Sequence, residues 1–215
     1  MLWILFSWLG CRQKSIKTDK TIRWCLAAFL ISYDVARALF LIIQFTDTRI
    51  FLALPLHLCD LARFAVIITL IWKNQKIWEI AWYWGIGGSL AAIITPDLLF
   101  GFPHLFYIAF FFHHAGVVIG SLYMAFSCRF PLQFSSTWRV WIWTHIYALF
   151  VFIVNLQMGT NFLYIMRKPD RPTMLDYMGP WPYYLLSMEA LLILSLLALY
   201  WFFKLVPQKY CRKPA

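Results

Sequence analysis

Phe51-Leu52-Ala53-Leu54-Pro55-Leu56-His57-Leu58-Cys59-Asp60-Leu61-Ala62-Arg63-Phe64-Ala65-Val66-Ile67-Ile68-Thr69-Leu70-Ile71-Trp72 is an apolar run that carries an imidazole, a thiol, a carboxylate and a guanidinium. About 20 apolar residues are enough to cross the hydrocarbon of a bilayer. Each charge at that depth costs about 2.5 kcal/mol or more, so buried ionisable groups in such a run mark function by default.

The rest of the chain is as apolar as this stretch. Of 215 residues, 62% are hydrophobic, 20% aromatic and only 13% charged, and the mean hydropathy is +0.69. A soluble domain is nearer half apolar and a quarter charged. Lipid must therefore cover part of the surface. Apolar runs at about 24–44, 51–72, 77–95, 103–127, 138–158 and 182–204 predict an all-α, polytopic membrane helical bundle of about six transmembrane helices, with residues 1–215 as a single integral membrane domain. Met1–Gly10 is apolar but too short to span. Its positive charge follows the apolar stretch and it has no small-residue cleavage site, so it reads as an interfacial segment or a shortened helix and not as a cleaved signal peptide.

Charge sets the expected orientation. Arg12, Lys14, Lys17, Lys20 and Arg23 precede the first span, Lys73 and Lys76 follow the second, Arg129 and Arg139 follow the fourth, and Lys204, Lys209, Arg212 and Lys213 end the chain. All thirteen fall on one side of a six-span topology. Arg49, Arg167, Lys168 and Arg171 fall on the other. The positive-inside rule then places residues 11–23 and the C-terminus in the cytoplasm, of the plasma membrane for a bacterial chain. This bias, with attraction to anionic lipid, accounts for the net charge of +10. No nucleic-acid-binding fold stands behind the basic residues, so no nucleic-acid partner is expected. The sequence does not give the oligomeric state.

Cys11, Cys25, Cys128 and Cys211 lie at the cytoplasmic side, where thiols stay reduced. Cys59 is the only cysteine deep in a span, eight residues from Phe51, or about 12 Å from the outer end of a continuous helix. His113 and His114 enter from the same side, His114 about 16 Å from Pro103. Glu189 lies about 10 Å from Pro182 by the same rise. Asp34, Arg37, His57, Asp60 and Arg63 fall near the same depth, and Asn155 lies near the end of its span. The expectation is one polar layer drawn from five spans. Ion pairing of Asp34 with Arg37, and of Asp60 with Arg63, within one helix would account for part of it with no function attached. His57 shares a helical face with Asp60, whereas Cys59 is about 200° from His57, so an imidazole for Cys59 must come from another helix. His113 and His114 are the available ones. Gly116 and Gly120 are spaced to let their helix approach a neighbour closely.

The loop after the fifth span is over twenty residues long, a length often used for lids or binding elements. Its Arg167, Lys168 and Arg171 suit a lipid phosphate.

Several strings, taken in order, resemble a known family. They are Leu54-Pro55-Leu56-His57-Leu58-Cys59, Thr95-Pro96-Asp97 with Gly101-Phe102-Pro103-His104, His114-Ala115-Gly116, Asn161-Phe162-Leu163-Tyr164 with Lys168-Pro169, and Leu175-Asp176 with Gly179-Pro180-Trp181-Pro182. Over residues 50–204 they resemble the bacterial YwaF-like integral membrane family. That family is similar to the eukaryotic transmembrane protein 164, an acyltransferase that remodels ether phospholipids using a cysteine. The resemblance implies Cys59 as nucleophile and His114 as the family histidine, with His113 where the family carries a small or polar residue. His57, Asp60, Arg63, His113, Asn155 and Glu189 form the supporting polar layer, and Asn161, Tyr164, Lys168 and Trp181 are the expected substrate contacts. The implied chemistry is acyl transfer between membrane phospholipid and lysophospholipid through a thioester, with no cofactor and no metal. Two other readings suit the same residues. One is a substrate-binding or transport protein with Asp34, Arg37, Asp60 and Glu189 as mid-membrane ligands. The other is a metal-dependent hydrolase using His57, His114, His145 and Asp60.

Overall fold

The computed structural model describes residues 16–44 (backbone alone at 40–44), 54–98, 101–128, 130–170 and 172–205. The N-terminal apolar segment and the last ten residues lie outside these, with Cys11 and Cys211. The described residues contain six helices and no strand: α1 (Ile16–Gln44), α2 (Leu58–Trp72), α3 (Gln75–Ile94), α4 (Leu105–Cys128), α5 (Phe134–Met158) and α6 (Tyr184–Leu205). Of these, α3, α4, α5 and α6 are long and apolar enough to cross a membrane. The protein is an integral membrane protein in a lipid bilayer. The all-α, helical-bundle reading of the sequence holds.

Two boundaries differ from expectation. Helix α1 starts at Ile16, so the basic residues Lys17, Lys20 and Arg23 are its first turns rather than a loop. Helix α2 starts at Leu58, not Phe51, because residues 54–57 are bent and non-helical. Pro55 has no backbone N–H and biases its neighbour away from helix. His57, extended at φ −74° and ψ 152°, is the N-cap. Cys59 therefore stands in the first turn of α2 and not two turns inside it.

Helices α2 and α3 form an antiparallel hairpin across a two-residue turn. Lys73, left-handed at φ 54°, ends α2, and the Asn74 side chain caps α3 by accepting from Ile77 N at 3.1 Å. The end of α2 is also tied to α1, since Arg23 Nη1 donates to the carbonyls of Leu70 and Ile71, which have no acceptor role left within the helix. Asp19 gathers Arg23 (3.0 Å), Lys73 (3.1 Å), Tyr123 (2.9 Å) and Ser127 around one carboxylate. Burial pushes its pKa up, but the bonds from Ser127, Tyr123, Lys73 and Arg23 outweigh it and hold the carboxyl at about 2. These groups form the basic end of the bundle. The end with the 159–180 loop is the loop end.

Close approach at glycines brings α4 against its neighbours. A Cβ on Gly120 would lie 2.6 Å from Val66 of α2, and one on Gly116 2.8 Å from Phe29 of α1. Gly85 of α3 sits as tightly against Ser121 and Val117. It lies in a π-helical segment, Tyr83–Gly88, that interrupts α3. The core between α2, α3, α4 and α6 is filled by Trp78, Trp82, Tyr83, Val66, Leu70, Val117, Met124 and Phe203. Buried Glu79 fixes α3 to the start of α5, accepting from Ser136 (2.8 Å) and Arg139 (2.9 Å). Helices α5 and α6 turn most of their apolar side chains outward, among them Ile146, Leu149, Phe150, Leu186 and Leu194. A face of that kind is solvated by lipid tails.

Candidate active site at the first turn of α2

Three contacts fix the register around Cys59. Val66 of α2 lies beside both Gly120 of α4 and Gly85 of α3. Ser121 of α4 donates to Ala81 O of α3 at 2.9 Å. At the loop end, Leu58 lies beside Gly88. Helices α2 and α4 thus run together and α3 runs against them. Asp60 stands six residues before Val66 and His114 six residues before Gly120, each about 9 Å toward the loop end. Cys59, Asp60, His113 and His114 consequently share a level.

What surrounds that level is a charged cluster. Arg63, fully buried, pairs with Asp34 of α1 at 2.6 Å and with Asp60 at 3.1 Å. Its Nη1 also lies 3.1 Å from His113 Nε2. Arg37 of α1 reaches Asp60 at 3.2 Å. Two carboxylates and two guanidinium groups therefore balance. Tyr33 stacks on the His113 ring at 4.5 Å, and the Arg63 guanidinium lies over the rings of Phe64 and Tyr33. Asp34 finds Arg63 across the α1–α2 interface, a pairing that sequence spacing within one helix does not suggest.

His113 is thus an arginine partner, while His114 is differently placed. Its Nδ1 is held by Phe110 O at 2.8 Å, and its Nε2 is buried with no hydrogen-bond partner among the described residues. The Phe110 ring packs against it at 4.1 Å. The bond at Nδ1 fixes which nitrogen is left for chemistry. Cys59, partly buried, stands in the first turn of α2. That is the positive end of the α2 dipole, where negative charge is accommodated. Cys59 and His114 are not hydrogen-bonded to each other.

The loop end covers this turn. His57 is packed by Phe162 and Tyr164, each at 5.4 Å between ring centroids. Tyr164 donates to Asp97 at 2.8 Å, Tyr147 of α5 donates to Leu56 O at 2.8 Å, and Tyr184 of α6 donates to Tyr164 O. Asn155 builds the loop: its Oδ1 accepts from Thr160 (2.8 Å) and Phe162 N (2.9 Å), and its Nδ2 donates to Phe162 O (3.0 Å). Asn161 does the same one turn on, with Met166 N, Arg167 N and Arg167 O. Lys168 lies over the Tyr184 ring and donates to Asp176 O at 3.4 Å, and Trp181 donates to Ile165 O at 3.4 Å.

Of the expected polar layer, His57, Asp60, Arg63 and His113 come together with Asp34 and Arg37. Glu189 instead pairs between α5 and α6, accepting from Trp141 at 2.6 Å and from His145 at 3.1 Å. The four residues of the metal reading are not gathered: among the described residues no three of His, Cys, Asp or Glu are placed to hold one ion. Tyr33, Phe110 and Tyr147, which sequence reading did not single out, complete the surroundings with Asp97 of the Thr95-Pro96-Asp97 string.

A family model described as the TMEM164 family matches residues 1–200. This chain belongs to the TMEM164 family. No curated protein and no solved structure matches it. For this TMEM164-family chain the match includes every residue of the cluster, from Asp34 to His114, and the loop that covers it.

Proposed function

We propose that this chain is a membrane-embedded phospholipid acyltransferase that works through a Cys59 thioester, with His114 as acid and base. One observation carries the reading. A cysteine stands in the first turn of a helix, level with a histidine whose one nitrogen is fixed by a carbonyl and whose other is buried and unpartnered. Catalytic hydrogen bonds are often absent from free enzymes and form with substrate.

The thiol proton passes to His114 Nε2. The thiolate then bonds to the carbonyl carbon of a phospholipid ester, and the carbon–oxygen bond to the glycerol breaks. The leaving lysolipid oxygen takes the proton from the imidazolium. In the second half an incoming lysolipid hydroxyl gives its proton to the imidazole and attacks the thioester, and the thiolate leaves. Aromatic cover by Phe162 and Tyr164 and the lipid around the bundle keep water low, which favours transfer over hydrolysis. In this reading the chain is one membrane domain, its C-terminus is cytoplasmic, and the loop with Asn161, Tyr164, Lys168 and Trp181 meets the head group at the outer leaflet.

The test uses the purified chain in lipid nanodiscs with a phospholipid carrying a labelled acyl chain. Intact-mass measurement should find the acyl group on Cys59. Cys59→Ser should abolish the adduct, His114→Ala should suppress it, and Cys25→Ser or Cys128→Ser should leave it. Full transfer by Cys59→Ser refutes the nucleophile, whereas neither adduct nor transfer by the unsubstituted chain favours the carrier reading, with the charged cluster as ligand site. Cytoplasmic protection of a tag placed in residues 159–180 refutes the outer-leaflet orientation.

A further inference from the structure

Ser89 is fully buried, and its hydroxyl has no hydrogen-bond partner among the described residues. Helical hydroxyls here usually return to the carbonyl four residues back, as Thr69, Ser121 and Thr144 do. Ser89 does not. It follows the π-helical segment directly and shares the face of Gly85, which meets Val117 and Ser121 of α4. One turn nearer the loop end than Val117, α4 presents His114. The neighbouring Gly88 meets Leu58, the first residue of α2. The hydroxyl therefore lies at the level where α2 begins and His114 ends its ring unpartnered.

The first turn of α2 supplies two further donors. Asp60 N and Leu61 N both donate to His57 O, at 3.0 and 3.3 Å. The N–H groups of Leu58 and Cys59 precede them, and the first amides of a helix have no acceptor within the helix. Asn155, the amide of the expected polar layer, is engaged with the 160–162 loop.

We propose that the Ser89 hydroxyl and the Leu58 and Cys59 amides form an oxyanion pocket for the carbonyl oxygen of a fatty-acyl ester. The inference rests on the Cys59 thioester reading and names the group that its intermediate needs. When Cys59 sulfur bonds to the carbonyl carbon, the electron pair of the carbon–oxygen double bond moves to the oxygen. The three donors accept that negative charge without giving up a proton. Collapse restores the double bond and expels the lysolipid oxygen, protonated by His114.

Two reagents separate this role from others. Acylation of Cys59 by a p-nitrophenyl fatty ester passes through an oxyanion. Alkylation by iodoacetamide does not. In the full chain, Ser89→Ala should slow acylation about 100-fold and leave the alkylation rate unchanged. Because it deletes a buried unpaired hydroxyl, it should not lower the melting temperature. Leu58→Pro provides the second variant. Proline suits the first position of a helix, and His57 already has the extended backbone that precedes proline. It removes one amide donor and should likewise slow acylation alone. Equal slowing of both reactions, or none in acylation, overturns the pocket while leaving the cysteine reading intact. An acyl adduct missing from the unsubstituted chain, with alkylation of Cys59 present, defeats the cysteine reading and the pocket with it.

Discussion

Arg63→Met tests what the charged cluster contributes. Methionine is close to arginine in volume, though shorter, so the change removes charge more than volume. Arg63 is fully buried and joins Asp34 at 2.6 Å, Asp60 at 3.1 Å and His113 at 3.1 Å. Asp60 would keep Arg37 at 3.2 Å, and Asp34 would lose the 2.6 Å partner across the interface. Breaking a buried pair by deleting one member costs about 3–5 kcal/mol, because the other charge stays desolvated. For a chain of this size that is a fall of roughly 6–20 °C in melting temperature on the scale of soluble domains. The assay is thermal unfolding in detergent at neutral pH, followed by the burial of Cys59 to a thiol probe. Asp34→Asn in the same chain should recover part of the loss, since it deletes the stranded charge. If Arg63→Met melts within a degree of the unsubstituted protein, or if Asp34→Asn worsens it additively, the cluster does not hold α1 to α2 as described.

Three other outcomes are expected. Asp19 is held at about 2, below its unfolded value of 3.8, so its contribution of order 1–2 kcal/mol after solvent screening is complete above pH 4 and lost as pH falls toward 2; the melting difference between the protein and Asp19→Asn should shrink over that window, and a constant difference would contradict the assignment. Gly120→Ala should destabilise by about 1–3 kcal/mol, since its Cβ would meet Val66 at 2.6 Å, and Val66→Ala in the same chain should return most of that, which additive losses would disprove. Asn155→Ala strands Phe162 N, Phe162 O and the Thr160 hydroxyl and should cost about 2–3 kcal/mol; limited proteolysis should then cut residues 159–164 faster at unchanged helicity, and an unchanged cleavage rate would show that Asn155 does not build the loop.

Composition and run length were sufficient for the class of fold and for the helices from α3 to α6, because hydrocarbon length is a one-dimensional property of a chain. They misplaced the start of α2. The run from Phe51 to Leu58 is apolar enough to continue a helix, and only Pro55 signals otherwise. The level of Cys59 relative to His114 is read from Val66 against Gly120 and not from distance from Phe51. Ion-pair partners were legible only within a helix. Asp34 with Arg63 and Glu189 with His145 are tertiary facts, fixed by which faces meet. Ser89 gave no sign in sequence: after Gly87-Gly88 it reads as one more small packing residue, and only its missing partner distinguishes it.

The crossed pairs between α1 and α2 bear on how the chain enters its membrane. At the level of the cluster each helix carries one aspartate and one arginine, Asp34 and Arg37 on α1 and Asp60 and Arg63 on α2, and a cation and an anion are each costly to a lone segment leaving the translocon, at about 2.5–3.5 kcal/mol apiece. The partners at 2.6 Å for Asp34 and 3.2 Å for Arg37 are both on the other helix. Each helix alone would carry charges that the other neutralises, so entry of α1 and α2 into lipid as a pair costs less than entry of either alone.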